Sequence, residues 1–391
     1  MLKLSTQLSL LVLFTFSCSN KISEEKLIQR IPEKYKSDAA VAVKSSAENR
    51  TEIQTAIQKC PKNQLEALGF LLANMPERDL KSLSSKFILN NINLAYQAMD
   101  SVKWADFIPD EIFLNYILPY VNLHERRDDW RPDYFKRFLP LIKDVDTPGE
   151  ATITLNDTIW DMVDVHYSTK RAKADQSPYE SMESGLASCT GLSIILIDAC
   201  RAVGIPARFV GVPLWTDHSG NHSWVEIWDN GWHFIGAAES SPLDKTWFGE
   251  RAQTSNDTEW KYSIYAASFK KTDVIFPPLF DSTATYVYAN IVTDRYSREV
   301  REDNHINLAI RLFKEKKGPR IEGKITVSKD GEKIDEGFTR DERRDFNDFL
   351  IFKLLPENQY QLQIEADGIN RNQTITTNSD KYQFLELTAM E

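Results

Sequence analysis

The sequence predicts an α+β fold: a helical N-terminal region, a mixed core and an all-β C-terminal domain. Three observations carry this. Residues 19–130 show apolar side chains at helical spacing and no strand signal. A long apolar helix over residues 190–203 then runs into strands near 207–214, 223–228 and 232–236, and Asp229-Asn230-Gly231 is a hairpin turn between the last two. After about residue 284 the apolar segments become short and often alternate, the texture of a β-sandwich.

Residues 1–18 stand apart from the fold. Lys3 is followed by an apolar run, Leu8 to Phe16, too short to span a bilayer, and then by Ser17-Cys18. This resembles a bacterial lipoprotein signal in which Cys18 becomes the lipidated residue; the alternative is an ordinary secretory signal with a chance cysteine. Residues 19–130 follow as the helical region, with Leu80, Leu83 and Phe87 marking one buried face. Pro109 opens a helix with acids in its first turn, and Pro119 ends or kinks it. The run from His124 to Trp130 is dense in charge and reads as a solvated face or a salt-bridge patch, or else as one wall of the active groove. The core, residues 131–283, contains a helix over 147–165, a polar loop over 167–183, and the helix and strands named above. The β domain is expected over 284–391, with a hairpin turn at Asp330-Gly331.

At 391 residues, 42% hydrophobic and 27% charged, the chain is a globular protein large enough for two or three domains. A net charge of -10 argues against a nucleic-acid partner, which calls for a basic stripe. Setting Cys18 aside leaves Cys60, Cys189 and Cys200, an odd number, with no CxxC and no zinc-finger spacing. No metal or cofactor is expected. Cys60 and Cys200 read as core thiols. The tryptophans around the hairpin are mostly core, with one or two left for a substrate groove.

Cys189 and His222 carry the chemistry. Cys189 closes a small, Gly-bearing polar run and opens the apolar helix, so the positive end of the helix dipole faces its sulfur. His222 opens an alternating strand and is the candidate base. Backbone N–H groups at the helix start have no helical carbonyl to bond and can serve as oxyanion donors. Such a site attacks an amide or ester carbonyl, loses an amine, and then hydrolyses or transfers the acyl group.

The residues from Ser188 to Val210, and above all Gly204-Ile-Pro-Ala-Arg208 and His222-Ser-Trp-Val-Glu226, resemble the core of the transglutaminase-like superfamily. That group includes transglutaminases, transglutaminase-like proteases and peptide:N-glycanases. The resemblance implies a papain-like α+β core with Cys189 as nucleophile and His222 as base. In that family an aspartate lies a few residues past a tryptophan on the next strand. Here the position holds Gly236 or Ala237, and the nearest acid is Glu239, which becomes the expected orienting group, with Asp244 further on. The expected function is an exported, lipid-anchored thiol enzyme of the cell envelope. It acts on amide or peptide bonds of a peptide or protein substrate, free or glycan-linked, and hydrolysis is favoured over transfer. The alternative is an inactive scaffold that binds a protein or polysaccharide at the cell surface.

Overall fold

The computed structural model describes residues 23–277, 284–298 and 304–390. The signal-like segment and Cys18 lie outside the described residues. Among the described residues, no helix is long and apolar enough to cross a membrane.

The N-terminal region is built from helices that include Lys36–Ser45, Arg50–Lys59, Leu65–Asn74 and Ser85–Asp100, closed on a core with Ile53, Leu68, Leu71, Ile88 and Ile92. It is tied to the core domain through Arg131. Its guanidinium donates to Asn91 Oδ1 at 2.7 Å, to the carbonyls of Ile117 and Pro119, and to the Arg201 carbonyl at the end of the next domain's central helix. A buried cation at a helix C-terminus satisfies carbonyls that helical bonding leaves open. Burial, with the nearby Arg201 charge, draws the Arg131 pKa down to about 9.

The core domain has an antiparallel six-stranded sheet. Its order is Trp232–Ile235, His222–Trp228, Ala207–Val212, Tyr265–Ser268, Tyr288–Ile291, Val274–Ile275. The Cys189–Ala202 helix packs on this sheet, every residue from Thr190 onward buried. Asn230 takes a positive φ of 55° in the expected hairpin turn. Beyond it lies a sandwich of two sheets, ordered Glu332–Phe338, Lys324–Lys329, Gln359–Ala366, Ile369–Thr376 and Leu350–Leu354, Ile306–Phe313, Tyr382–Thr388. Leu308, Ile310, Ile325, Phe352, Leu362 and Ile364 fill its interior. The molecule is thus α+β: a helical region, a core of one helix packed on a six-stranded antiparallel sheet, and a β-sandwich.

Two local expectations differ from what forms, and the structure chooses among the readings of a third segment. The strand Tyr288–Ile291 was expected in the β domain, but it pairs with Tyr265–Ser268, so the sandwich strands begin at Ile306. Within the expected loop 167–183, Pro178–Ser184 is a helix with a full capping box between Ser177 and Glu180. The polar run at 124–130 is a salt-bridge patch, one of its expected readings, and it is partly buried: His124 pairs with Asp175 at 3.0 Å and Arg126 with Asp128 at 2.7 Å. Glu125 is buried and accepts the N–H groups of Asn122 and Leu123, Arg127 pairs with Asp79 at 3.0 Å, and Asp128 accepts from the Tyr179 N–H.

Candidate active site

Cys189 is the first residue of its helix because Ser188 caps it. The Ser188 hydroxyl accepts the Gly191 N–H at 3.1 Å and donates to the Ala174 carbonyl at 2.6 Å, which fixes the turn that delivers the sulfur. The residue keeps partial exposure. Burial first, and the Asp345 charge second, push the thiol pKa up to about 12 against the lowering effect of the Ser223 amide and hydroxyl. The Ser223 hydroxyl is itself held 3.0 Å from Thr190 Oγ1.

His222 begins the neighbouring strand and is 2% exposed. Its ring is walled by Trp247 and Phe248, both at a centroid distance of 4.7 Å, with Trp224 and Trp215 behind. Neither ring nitrogen has a hydrogen-bond partner. Nδ1 faces the Asp345 carboxylate, with Oδ2 at 3.6 Å. One side-chain atom each from Cys189, His222 and Asp345 lies within 4.8 Å of the other two. Catalytic contacts of this length commonly tighten when substrate binds.

Asp345 comes from the sandwich, in the loop between Glu332–Phe338 and Leu350–Leu354. Its Oδ1 accepts the Asn347 N–H at 2.7 Å, a side-chain turn that fixes the carboxylate. Arg320 donates to the carbonyls of Arg344 and Asp345. Tyr167 accepts the Phe346 N–H at 2.9 Å, and the Asn347 amide donates to the Asn221 carbonyl beside His222, also at 2.9 Å. Gly220 permits that approach. Its φ is +126°, and a Cβ there would lie 2.9 Å from Asn347 Nδ2. Burial raises the Asp345 carboxyl, but the adjacent imidazole, the Asn347 N–H and the Arg320 charge outweigh it and hold the pKa below the usual value.

Glu239, the expected orienting acid, is placed otherwise. It lines the same cavity, but its Oε1 accepts from Trp247 Nε1 at 2.6 Å, and no hydrogen bond or ion pair joins it to His222. The cause is local. Ala238 adopts a left-handed φ of 62°, and Asn156 takes the Ala238 N–H at 2.9 Å and donates to the Glu239 carbonyl. The chain therefore folds back, and the Glu239 carboxyl sits over Gly236, where a Cβ would be 2.0 Å from Oε2. The absent side chain at 236 is what makes room. Burial, with the Asp348 and Asp345 charges adding to it, raises the Glu239 pKa to about 8, so the group is mostly protonated at neutral pH. Asp244 pairs with His233 at 2.7 Å, on the exposed side of the hairpin.

The remaining thiols are core. Cys200 is buried beside Thr152 and burial lifts its pKa to about 12; Cys60 is buried and lifted to about 11. The cavity over the sulfur measures about 50 Å³, and its lining includes Tyr167, Leu192, Ser223 and Trp247. That is space for a few waters around a reacting carbonyl; the body of a substrate has to lie along the rim.

Asp345 is the residue that sequence reasoning missed. It follows His222 by a long stretch of chain in another domain, and the only local signal was an Asp-x-Asn turn inside a charged inter-strand run.

Residues 140–237 match the family model of the transglutaminase-like superfamily. A search of curated proteins gave no match. Among solved structures, one from Cytophaga hutchinsonii described as a "putative cysteine protease" aligns at 17% identity and a TM-score of 0.25, covering 41% of this chain and 58% of that one. Red sea bream transglutaminase aligns at 8% identity and a TM-score of 0.28, covering 74% of this chain. The chain again spans 58% of that protein's length. Residues 140–237, the stretch that matches the transglutaminase-like family model, hold both Cys189 and His222.

Proposed function

We propose that this protein is a thiol enzyme acting on amide or peptide bonds, with Cys189 as nucleophile, His222 as base and Asp345 as the group that orients the imidazole. The observation that carries the reading is the convergence of the three side chains within 4.8 Å. A thiol whose pKa is held near 12 is not a resting thiolate. His222 Nε2 therefore takes the proton as the sulfur attacks the carbonyl carbon. The new oxyanion lies toward the unpaired N–H groups of Cys189 and Thr190 at the helix start. On collapse the C–N bond breaks, and the imidazolium returns the proton to the departing amine. Water, deprotonated by His222, then attacks the thioester, releasing the acid and restoring the thiol. The small cavity, which admits water more readily than a second substrate, favours hydrolysis over transfer to an amine. The same proposal places the enzyme in the cell envelope, anchored through a lipidated Cys18, with peptide or protein substrates.

One observation favours the alternative of an inactive binding scaffold: the elevated thiol pKa together with a ring nitrogen that no hydrogen bond holds. The two readings separate in one experiment. Glutamine-containing peptides are incubated with the wild type and Cys189→Ala, following released ammonia, free amine and cleaved peptide, and the cysteines are alkylated in parallel with iodoacetamide. The enzyme reading expects product that Cys189→Ala abolishes, and Cys189 labelled well ahead of Cys200. Equal, slow labelling of Cys189 and Cys200 would sink it.

A further inference from the structure

The loop that carries Asp345 also brings two arginines to the cavity. Arg343 and Arg344 both line it, both are exposed, and among the described residues neither guanidinium has a hydrogen-bond or ion-pair partner. The acids around them are already engaged. Glu342 pairs with Lys170 at 3.8 Å and Asp348 with Arg340 at 3.1 Å. Asp345 faces His222, and Asp341 accepts the Arg343 N–H at 2.9 Å to close the turn. Glu239 is largely uncharged at neutral pH. Of the cations in the loop before the cavity, Lys170 and Lys173 are paired with Glu342 and Glu180, and the Arg171 charge acts on the Cys189 sulfur. In a chain with a net charge of -10, the cavity lining thus offers two open guanidinium forks beside carboxyls that are neutral or already engaged.

We propose, resting on the thiol-enzyme reading above, that the substrate is an acidic peptide, with a carboxylate within about two residues of the scissile amide, held by Arg343 and Arg344. A guanidinium presents a planar fork that fits a carboxylate through two parallel N–H bonds, and such charge-assisted bonds are the stronger ones. The position follows from the remaining charges. Asp345 and Asp348 repel an anion placed deep beside the sulfur, so the carboxylate sits at the rim while the neutral amide enters the cavity. The sandwich then serves the core twice, once in orienting His222 and once in selecting the substrate.

The test does not need turnover. Acetylated, amidated pentapeptides, with glutamine at the centre and one glutamate or its neutral glutamine counterpart scanned through the flanking positions, are used to protect Cys189 from iodoacetamide, read by mass spectrometry at low ionic strength. The expected result is that a flanking glutamate protects at roughly a tenth of the concentration its glutamine counterpart needs. In Arg343→Gln/Arg344→Gln that advantage falls to about parity, and in the Glu/Glu double variant it inverts; 0.5 M salt erodes it in the wild type. Equal protection by acidic and neutral peptides, no protection by either, or an advantage that survives in both double variants overturns the assignment. Failure of the underlying reading is distinct: Cys189 then labels no faster than Cys200, whatever peptide is present. Unchanged thermal midpoints show that the variants are folded.

Discussion

Replacing Asp345 by asparagine isolates its charge. The change keeps the side-chain size and the oxygen that accepts the Asn347 N–H, so the loop geometry is retained. In the transition state of acylation His222 carries the proton of Cys189 and is cationic, 3.6 Å from the carboxylate. Both side chains are nearly buried, 2% and 8% exposed, so solvent screens the pair weakly. At an effective dielectric of about 20, unit charges near this separation interact by about 4 kcal/mol. With a factor of ten for each 1.4 kcal/mol, Asp345→Asn is expected to lower kcat about 1,000-fold. KM should change little, because the charge pair exists only after proton transfer. Glu239→Gln is the matched control. That carboxyl is mostly neutral and bonded to Trp247, so an amide replaces it with a loss of about threefold or less near pH 7. The assay is steady-state cleavage of the best peptide amide from the substrate panel, with thermal midpoints taken alongside. The reasoning is refuted if folded Asp345→Asn stays within tenfold of wild type, or if Glu239→Gln is the more damaging of the two.

Two further outcomes follow from the same residues. Glu239 titrates near pH 8 in the folded chain and near 4.5 when free, so its neutral form is the one the fold favours. Its contribution is fully present below about pH 4.5 and is lost as pH rises to about 8, at about 1.4 kcal/mol per pH step. Glu239→Gln should therefore match the wild type in urea at pH 4.5 and exceed its stability at pH 8; a gap that does not widen with pH counts against this. Gly220→Ala forces a side chain into a φ of +126° and toward Asn347. A loss of about 1–3 kcal/mol in denaturant stability is expected, with a severalfold lower kcat as the Asp345 loop loosens; unchanged stability would show that the loop does not depend on that contact.

How much of this was legible depended on the range over which each residue acts. The apolar helix behind Cys189, the strand opened by His222 and the Asp229-Asn230-Gly231 turn are local matters of periodicity and backbone conformation, and they form where expected. The strand at 288–291 reads like any other short alternating segment; only pairing with Tyr265–Ser268 assigns it to the core sheet. The charged run at 124–130 left a solvated face, a salt-bridge patch and a groove wall open in the sequence, because partners that decide among them, Asp79, Asn122 and Tyr179, lie outside the run itself. Asp345 is the extreme case. Its meeting with His222 depends on how a separate sandwich docks, and no spacing rule encodes that.

The two carboxyls near His222 account for one another. If the orienting acid stood on the hairpin, at 236 or 237, the sandwich loop would have no charge to supply. With glycine at 236, the chain folds through Ala238 and lays the Glu239 carboxyl into the vacated space, against Trp247. That group cannot also ionise at little cost, because Asp345 and Asp348 already bring negative charge to the same small cavity, and their fields are part of what raises its pKa. The result is one ionised and one protonated carboxyl, a division that environment alone imposes on chemically similar groups. The ionised member sits on the sandwich and is held to the core by Tyr167, Asn221 and Arg251, through bonds to Phe346 and Asn347. Docking of the sandwich therefore supplies the charge that faces His222 and adds to the burial that keeps Glu239 neutral. The segment that matches the family model contains Cys189 and His222, while the carboxylate that faces His222 comes from a domain outside it.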